Sequence, residues 1–453
     1  MHYHFIAIGG IGMSALARIV LSRGFPVSGS DHQSSAITES LTKEGAYISI
    51  GYTAENLPEG AIVVYSTAVL NNNPELLAAK ERGFTIIHRS ELLRRLIQGK
   101  KGLLVAGTHG KTTTSSLLTH VLHECGMAPS YAIGGMIHSL GNNGGEGFGD
   151  YFIAEACESD GTFLDYPGFG GIITNIDKDH LDYWKTEEAL VQGFRTFIEG
   201  ITSKQHILFC ADDERLSRMS PQGISYGFSR RAMARISQYS QQGWTLFFDL
   251  EFQGRTFKDI EVTLIGRHNV LNSSAVFVLG LQLGISETSL RSALKSFCGV
   301  GRRVEKRGDA GGVTIFDDYG HHPAEIVTTL EAIKTAIGKR RLIAVFQPHR
   351  YTRTRDCLEG FSEAFVHADL MCLTDIYSAG ELPISGINVE TLLETIRLKQ
   401  RGEVLYMPRK NISIQIRGIL KQGDVVVTIG AGDITKVGAE LLEQLQETIA
   451  TVS

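Results

Sequence analysis

Two glycines, a lysine and a row of threonines fall within Val105-Ala106-Gly107-Thr108-His109-Gly110-Lys111-Thr112-Thr113-Thr114. The chemistry this combination supports is phosphate binding. Glycines leave backbone N–H groups bare, a lysine adds a mobile cation, and a threonine hydroxyl is a ligand for Mg²⁺. The apolar run 102–106 predicts a buried strand before the loop. Leu117, Leu118, Val121 and Leu122 recur at helical spacing after it. In that setting Gly107, Thr108, His109, Gly110 and Thr113 would wrap the phosphates, Lys111 would reach the terminal ones, and Thr112 would hold the metal. Val105 stands where a longer phosphate loop has another glycine, so this is a shortened form.

Other chemistry-bearing residues fall at the ends of apolar runs. Tyr151–Ala156 reads as a strand that ends in Glu155, and 171–176 as one followed by Asp177-Lys178-Asp179-His180. In a parallel sheet ligands gather at the carboxyl ends of strands, so Glu155 and His180 should share an edge with Lys111. A hydroxyl, a carboxylate and an imidazole can together hold Mg²⁺ beside a triphosphate. Asp177 and Asp179 read as solvated or helix-capping residues. Gly266-Arg267-His268-Asn269-Val270-Leu271-Asn272 opens a helix, where His268, Asn269 and Asn272 would cap it or meet a base or ribose. Of the adjacent Arg302 and Arg303, one could neutralise charge on a transferring phosphate. Two further strands, 313–316 and 342–346, end in Asp317-Asp318-Tyr319-Gly320-His321-His322-Pro323 and Gln347-Pro348-His349-Arg350-Tyr351-Thr352-Arg353. That edge suits anionic groups and an amine. Near the start, Gly10-Ile11-Gly12-Met13-Ser14-Ala15 follows a strand and opens a helix, with Asp31 at the distance of a ribose-binding acid. This is a dinucleotide fingerprint, and what it specifies is a pyrophosphate at a helix N-terminus.

The elements that must position these residues alternate between strand and helix. Length, 453 residues, sets a prior of two to four domains. The pattern divides into an α/β unit over residues 1–98, a central unit over 99–298 that opens on the phosphate loop, and a third α/β unit over 299–453. Gln98–Gly102 reads as a linker. The glycine-rich stretch from Ile133 to Gly149 reads as a loop, and alternating runs at 244–252 and 259–265 as antiparallel strands. A net charge of −5 offers no basic field for nucleic acid. No apolar run approaches the roughly 18 residues of a membrane span. Six scattered cysteines without C-x-x-C pairs, and a strand-like start lacking a basic n-region, lead us to expect a reducing cytoplasm.

G-T-H-G-K-T-T-T, A-E-A-C-E-S-D-G-T-F-L, T-N-I-D-K-D-H-L-D, G-R-H-N-V-L-N, G-V-G-R-R, D-D-Y-G-H-H-P and Q-P-H-R-Y-T-R-T occur in one order over nearly the whole chain. Together they resemble the Mur ligases of peptidoglycan synthesis, most closely the muramate–alanine branch. The resemblance implies three domains: a Rossmann-like UDP-binding domain, a central P-loop ATPase-type domain and a C-terminal Rossmann-like α/β domain. It implies an ATP-dependent ligase joining L-alanine to UDP-N-acetylmuramate, with no membrane insertion and a monomeric or homodimeric state. Gly10, Gly12 and Asp31 would then serve a uridine nucleotide rather than NAD. Lys111 would contact ATP; Thr112, Glu155 and His180 would hold Mg²⁺; His268 and Asn269 would lie at the adenine with Asn272 nearby. Arg302 or Arg303 would approach the phosphates, and Asp317, Asp318, His321, Arg350 and Arg353 would line the reacting carboxylate and amine. Cys157 departs from the pattern, standing where these enzymes usually carry an aspartate.

Overall fold

Short runs rich in Val, Ile and Leu form three sheets in the computed structural model, which describes residues 1–452. The first comprises β1 (Tyr3–Ile6), β2 (Val27–Asp31), β3 (Tyr47–Ile50), β4 (Ile62–Tyr65) and β5 (Ile86–His88), in the order β3-β2-β1-β4-β5. All its pairings are parallel, so each crossover passes over a face and both faces are covered. The carboxyl end of β1 leads into the helix Ile11–Ser22. Its Gly10 N-cap offers no side chain, so the first N–H groups of that helix are left for a ligand or water.

The second sheet holds ten strands: β6 (Lys101–Ala106), β7 (Ser130–Ile137), β8 (Asn142–Gly145), β9 (Tyr151–Ala156), β10 (Gly168–Ile173), β11 (Ile207–Cys210), β12 (Ile224–Gly227), β13 (Ala234–Gln242), β14 (Thr245–Phe252) and β15 (Arg255–Val262). Parallel neighbours β9 and β10 flank β6, whose buried Leu103–Ala106 lie at the centre of the sheet. The third sheet runs β16-β17-β21-β18-β19-β20, from β16 (Glu305–Ala310), β17 (Val313–Asp318), β18 (Leu342–Phe346), β19 (Leu370–Leu373), β20 (Glu403–Tyr406) and β21 (Val425–Ile429). Only β16 is antiparallel in it.

By packing, the chain forms two compact units. One holds Met1–Tyr239, Phe248–Val262 and Leu271–Gly299; the other holds Ser240–Phe247, Thr263–Val270 and the chain from Val300. In the second unit, the turn between β13 and β14 places Trp244 on Phe316, ring centroids 4.6 Å apart. Gln241 there donates to the Ala332 carbonyl at 2.9 Å. No helix among the described residues is long and apolar enough to cross a membrane.

Three readings need correction. The stretch from Ile133 to Gly149 is not simply a loop: it carries most of β7 and all of β8. Composition misled because Gly144 there is a packing device. The helix Ile11–Ser22 lies so close to β8 that a Cβ on Gly144 would sit 2.5 Å from the Ala15 carbonyl oxygen. Buried Asn143 fastens the approach, its amide donating to the Ile11 carbonyl at 2.6 Å and its oxygen accepting from Arg18 at 2.6 Å. The strand placed at 259–265 is β15, Arg255–Val262, since Thr245–Phe252 leaves only a two-residue turn before it. Lys101, read only as linker, already belongs to β6, which begins one residue before the expected 102–106 run.

Gly144→Ala should therefore destabilise the fold by about 1–3 kcal/mol, the usual range for overpacking. Gly200→Ala, where nothing lies within 4 Å of the added methyl, should be neutral or mildly stabilising. Thermal unfolding midpoints of the two variants check this contrast.

Candidate active site

In the first unit the phosphate loop is held from the side. Thr108 N–H donates to the Asn175 carbonyl at 3.0 Å, and His109 N–H to the Asn175 side-chain oxygen at 2.9 Å. The Thr174 hydroxyl and the Asn175 amide both donate to the His109 carbonyl, at 2.6 and 3.0 Å. Asp177, read as solvated or capping, donates its N–H to the Thr108 hydroxyl at 2.8 Å, and its carboxylate lies 3.3 Å from His109 Nε2. The strand end after β10 thus clamps the loop after β6, its parallel neighbour. Gly107, at φ 130°, packs so tightly that a Cβ would overlap the Thr174 hydroxyl. Gly110, at φ 83°, caps the helix Lys111–Glu124, and the Asn272 amide lies directly beside it.

The register Val105↔Glu155 sets Glu155 at the carboxyl edge beside the loop. Its carboxylate accepts from the Thr112 hydroxyl at 3.2 Å, the Ser115 hydroxyl at 3.3 Å and Gly134 N–H at 2.6 Å. A hydroxyl and a carboxylate oxygen side by side, at the N-terminus of a helix, are hard donors of the kind Mg²⁺ takes, so these residues fit that ion. His180 has local bonding partners of its own. It occupies the left-handed region at φ 55° ahead of the short helix Leu181–Trp184, its N–H donates to Asp179, and its Nε2 is 3.6 Å from the Asp179 carboxylate. Trp184 pins that helix by donating to the Glu158 carbonyl at 2.9 Å.

Lys111 donates to the carbonyls of Gly107 and Thr108, at 2.5 and 3.1 Å, and to Glu158 Oε2 at 2.8 Å. Burial, the largest single influence, works against its charge, but Glu158 together with the other acidic groups beside it, Glu155 among them, holds the ammonium well above the ordinary lysine range. Sequence reasoning placed no role on Glu158, Thr174 or Asn175. The signal for the last two is their place at a buried strand's end, but that β10 lies next to β6 is a fact of the fold. At the first sheet, Asp31 Oδ2 accepts from Gly9 N–H at 2.9 Å, and Arg89 reaches to within 3.5 Å of where a Gly12 Cβ would stand.

The second unit gathers the other candidates at the carboxyl edge of its sheet, where Asp318 and Phe346 both pair with Ile429. Arg302 is fully engaged, donating to Asp317 at 3.2 Å and to the Gly430 carbonyl at 2.6 Å. Both guanidiniums lie over the Tyr319 ring, at 4.9 Å for Arg302 and 5.3 Å for Arg303, but Arg303 makes no side-chain hydrogen bond or ion pair among the described residues. Asp318 is buried and binds the N–H groups of Val304 and Gly320, each at 2.8 Å; burial pushes its carboxyl up to about 6. It holds the turns that carry Arg303 and His321. His349 accepts from Arg353 at 3.2 Å and stacks on Tyr377 at 5.6 Å. The Arg350 guanidinium stands exposed. Asn269 donates to the Ile265 carbonyl at 2.8 Å, while His268 Nδ1 is shut off from solvent with no hydrogen-bond partner. Burial and then Arg303 lower His268 to about 4.

Three family models match in order: "Mur ligase family, catalytic domain" over residues 2–101, "Mur ligase middle domain" over 105–280, and "Mur ligase, glutamate ligase domain" over 302–432. The chain belongs to the Mur ligase family. This Mur ligase is 46% identical over 446 residues to the UDP-N-acetylmuramate–L-alanine ligase of Protochlamydia amoebophila, covering 98% of each chain. It is 43% identical over 447 residues to the enzyme of that name from Anaeromyxobacter dehalogenans, covering 98% of this chain and 97% of the other. Its fold matches the crystal structure of UDP-N-acetylmuramate–alanine ligase from Thermotoga maritima with a TM-score of 0.86 and 26% identity, covering 99% of this chain and 100% of that one.

Two measurements bear on this geometry. Gly107→Ala combines a strained φ with overlap at Thr174, so nucleotide binding should fall at least about tenfold by calorimetry. His321 is lowered to about 4, by burial first and then Arg353 and Arg303, and His349 to about 3, by burial first and then Arg353. An unfolded histidine titrates near 6.5, so between roughly 4 and 6.5 the unfolded chain binds more protons. Stability should therefore be lost as pH falls from about 6.5 towards 4. Unfolding midpoints from pH 7 to 5 should drop less steeply in His349→Asn.

Proposed function

We propose that this Mur ligase joins L-alanine to the lactyl carboxylate of UDP-N-acetylmuramate, using ATP and releasing ADP and phosphate. The observation that carries this reading is the likeness at 46% identity, end to end, to a UDP-N-acetylmuramate–L-alanine ligase. We divide the work among residues 1–98 for the UDP part, 99–298 for ATP and 299–453 for the amino acid, in a cytoplasmic setting.

A carboxylate resists attack by an amine because its leaving group would be oxide. Transfer of the γ-phosphoryl group to a carboxylate oxygen gives an acyl phosphate. The alanine amine then forms the C–N bond, the C–O bond to phosphate breaks, and the ammonium proton is lost. Lys111 and the N–H groups of the loop position and neutralise the phosphates. Thr112 and Glu155, with His180 brought to them, are the groups we assign to Mg²⁺, which supplies charge neutralisation when bound. Among the two arginines we assign the phosphoryl charge to Arg303, because Arg302 is committed to Asp317 and Gly430. Arg350 and Arg353 carry charge suited to the carboxylates of the substrates, and neutral His349 orients Arg353.

Phosphate release from ATP and Mg²⁺ should require both UDP-N-acetylmuramate and L-alanine; release with neither present would point to a nucleotide hydrolase and sink the reading. Arg303→Ala should lower kcat by about two orders of magnitude or more with an unchanged unfolding midpoint. Arg302→Ala should instead lower the midpoint, since it leaves Asp317 buried without its cation.

A further inference from the structure

The Lys111 ammonium is not waiting in open solvent. It is held beneath its own loop by three oxygens, and the charged one belongs to Glu158. The Glu158 side chain is 1% exposed, and its second oxygen, Oε1, is buried with no hydrogen-bond partner. A buried carboxylate with half its hydrogen-bonding capacity unused is costly to keep unless something depends on it. Helix and aromatic packing around it are firm. Trp184 donates to the Glu158 carbonyl, and Trp184 meets Phe163, which stacks on Phe197. The Glu158 backbone is therefore fixed at Trp184, and its carboxylate is buried against Lys111.

We propose that Glu158 is a positioning residue that competes with nucleotide phosphates for Lys111 and takes the ammonium back as the nucleotide leaves. The inference rests on the reading of this loop as an ATP site. When phosphates arrive, Lys111 exchanges one anionic partner for another, so part of the attraction is offset by the broken ion pair. When the phosphoryl group has gone to the acceptor, ADP has fewer charges with which to hold the lysine. Glu158 then draws it back, and release of ADP is eased. Binding energy that would otherwise trap product is cancelled by a partner already inside the protein.

The test is a double-mutant cycle on ADP affinity, measured by calorimetry, with Glu158→Gln, Lys111→Met and the pair combined. In Glu158→Gln, ADP should bind at least about tenfold tighter, a gain of roughly 1.4 kcal/mol. KM for ATP should fall, and kcat should fall with it as product lingers. In the Lys111→Met background the same change should leave ADP affinity within about twofold, because the lysine that transmits the effect is gone. Glu158→Asp keeps the charge but draws it back, and its ADP affinity should lie between those of the parent and Glu158→Gln. It also serves if the glutamine variant does not fold. Weaker or unchanged ADP binding in folded Glu158→Gln or Glu158→Asp would overturn the inference, as would an equal gain in the Lys111→Met background. A parent chain that binds no ADP would overturn the nucleotide reading, and this inference with it.

Discussion

A phosphate-binding turn must expose its N–H groups and still be rigid, and those demands conflict. Bare backbone is the most mobile kind. Here the conflict is resolved by packing the loop against a neighbouring strand end. Gly107 has no room for a side chain because the Thr174 hydroxyl fills the space, and Asn175 takes the N–H of Thr108 on its carbonyl and that of His109 on its side chain. The N–H groups that remain, at the start of the helix Lys111–Glu124, keep their direction because the residues before them cannot move. Everything else in the central sheet follows from the adjacency this requires: β10 must lie on one side of β6, and β9, with Glu155, on the other.

Charge is arranged around that fixed loop with little slack. Glu155 is spoken for by Thr112, Ser115 and Gly134 N–H, and Glu158 by Lys111. The two carboxylates, three residues apart in sequence, thereby take different partners. One neighbours a hydroxyl and suits a hard cation; the other neighbours an ammonium and restrains it. Cys157 between them bonds to neither, and its thiol lies 3.2 Å from the Ser159 hydroxyl.

Much of this was legible in the residues alone. The phosphate loop, the helix after it, Glu155 at a strand end and the α/β alternation all follow from local pattern, because a loop flanked by strand and helix leaves few arrangements. What local pattern could not carry was which strands are neighbours. Asp177 looked like an ordinary polar residue after a strand, and only the placement of β10 beside β6 makes it a support for Thr108 and His109. The β7–β8 stretch failed for a related reason. Its glycines lower strand propensity, and at Gly144 the justification is a helix more than a hundred residues earlier that packs where a side chain would be. Arg302 and Arg303 were indistinguishable as a pair of adjacent cations. Both lie over Tyr319, and buried Asp317 separates them, since that carboxylate claims Arg302 and leaves Arg303 without an ion pair among the described residues.

The first sheet solves the glycine-loop problem a second time with different residues, and the comparison explains Asp31. In the central sheet a hydroxyl and an amide hold the loop. In the first sheet the Asp31 carboxylate does it, accepting from Gly9 N–H, and a Cβ on Gly9 would sit 2.8 Å from the same oxygen. An acid at that position is usually read as a ligand for a ribose hydroxyl. Here Oδ2 is committed to the loop, and only Oδ1, shared with His32 at 2.9 Å, remains for a bound molecule. One carboxylate can therefore hold the backbone with one oxygen and meet a ligand with the other. Replacing it by asparagine would keep an acceptor for Gly9 only by turning its amide nitrogen towards His32 and any ligand, so the ligand would meet a donor where the carboxylate offers an acceptor.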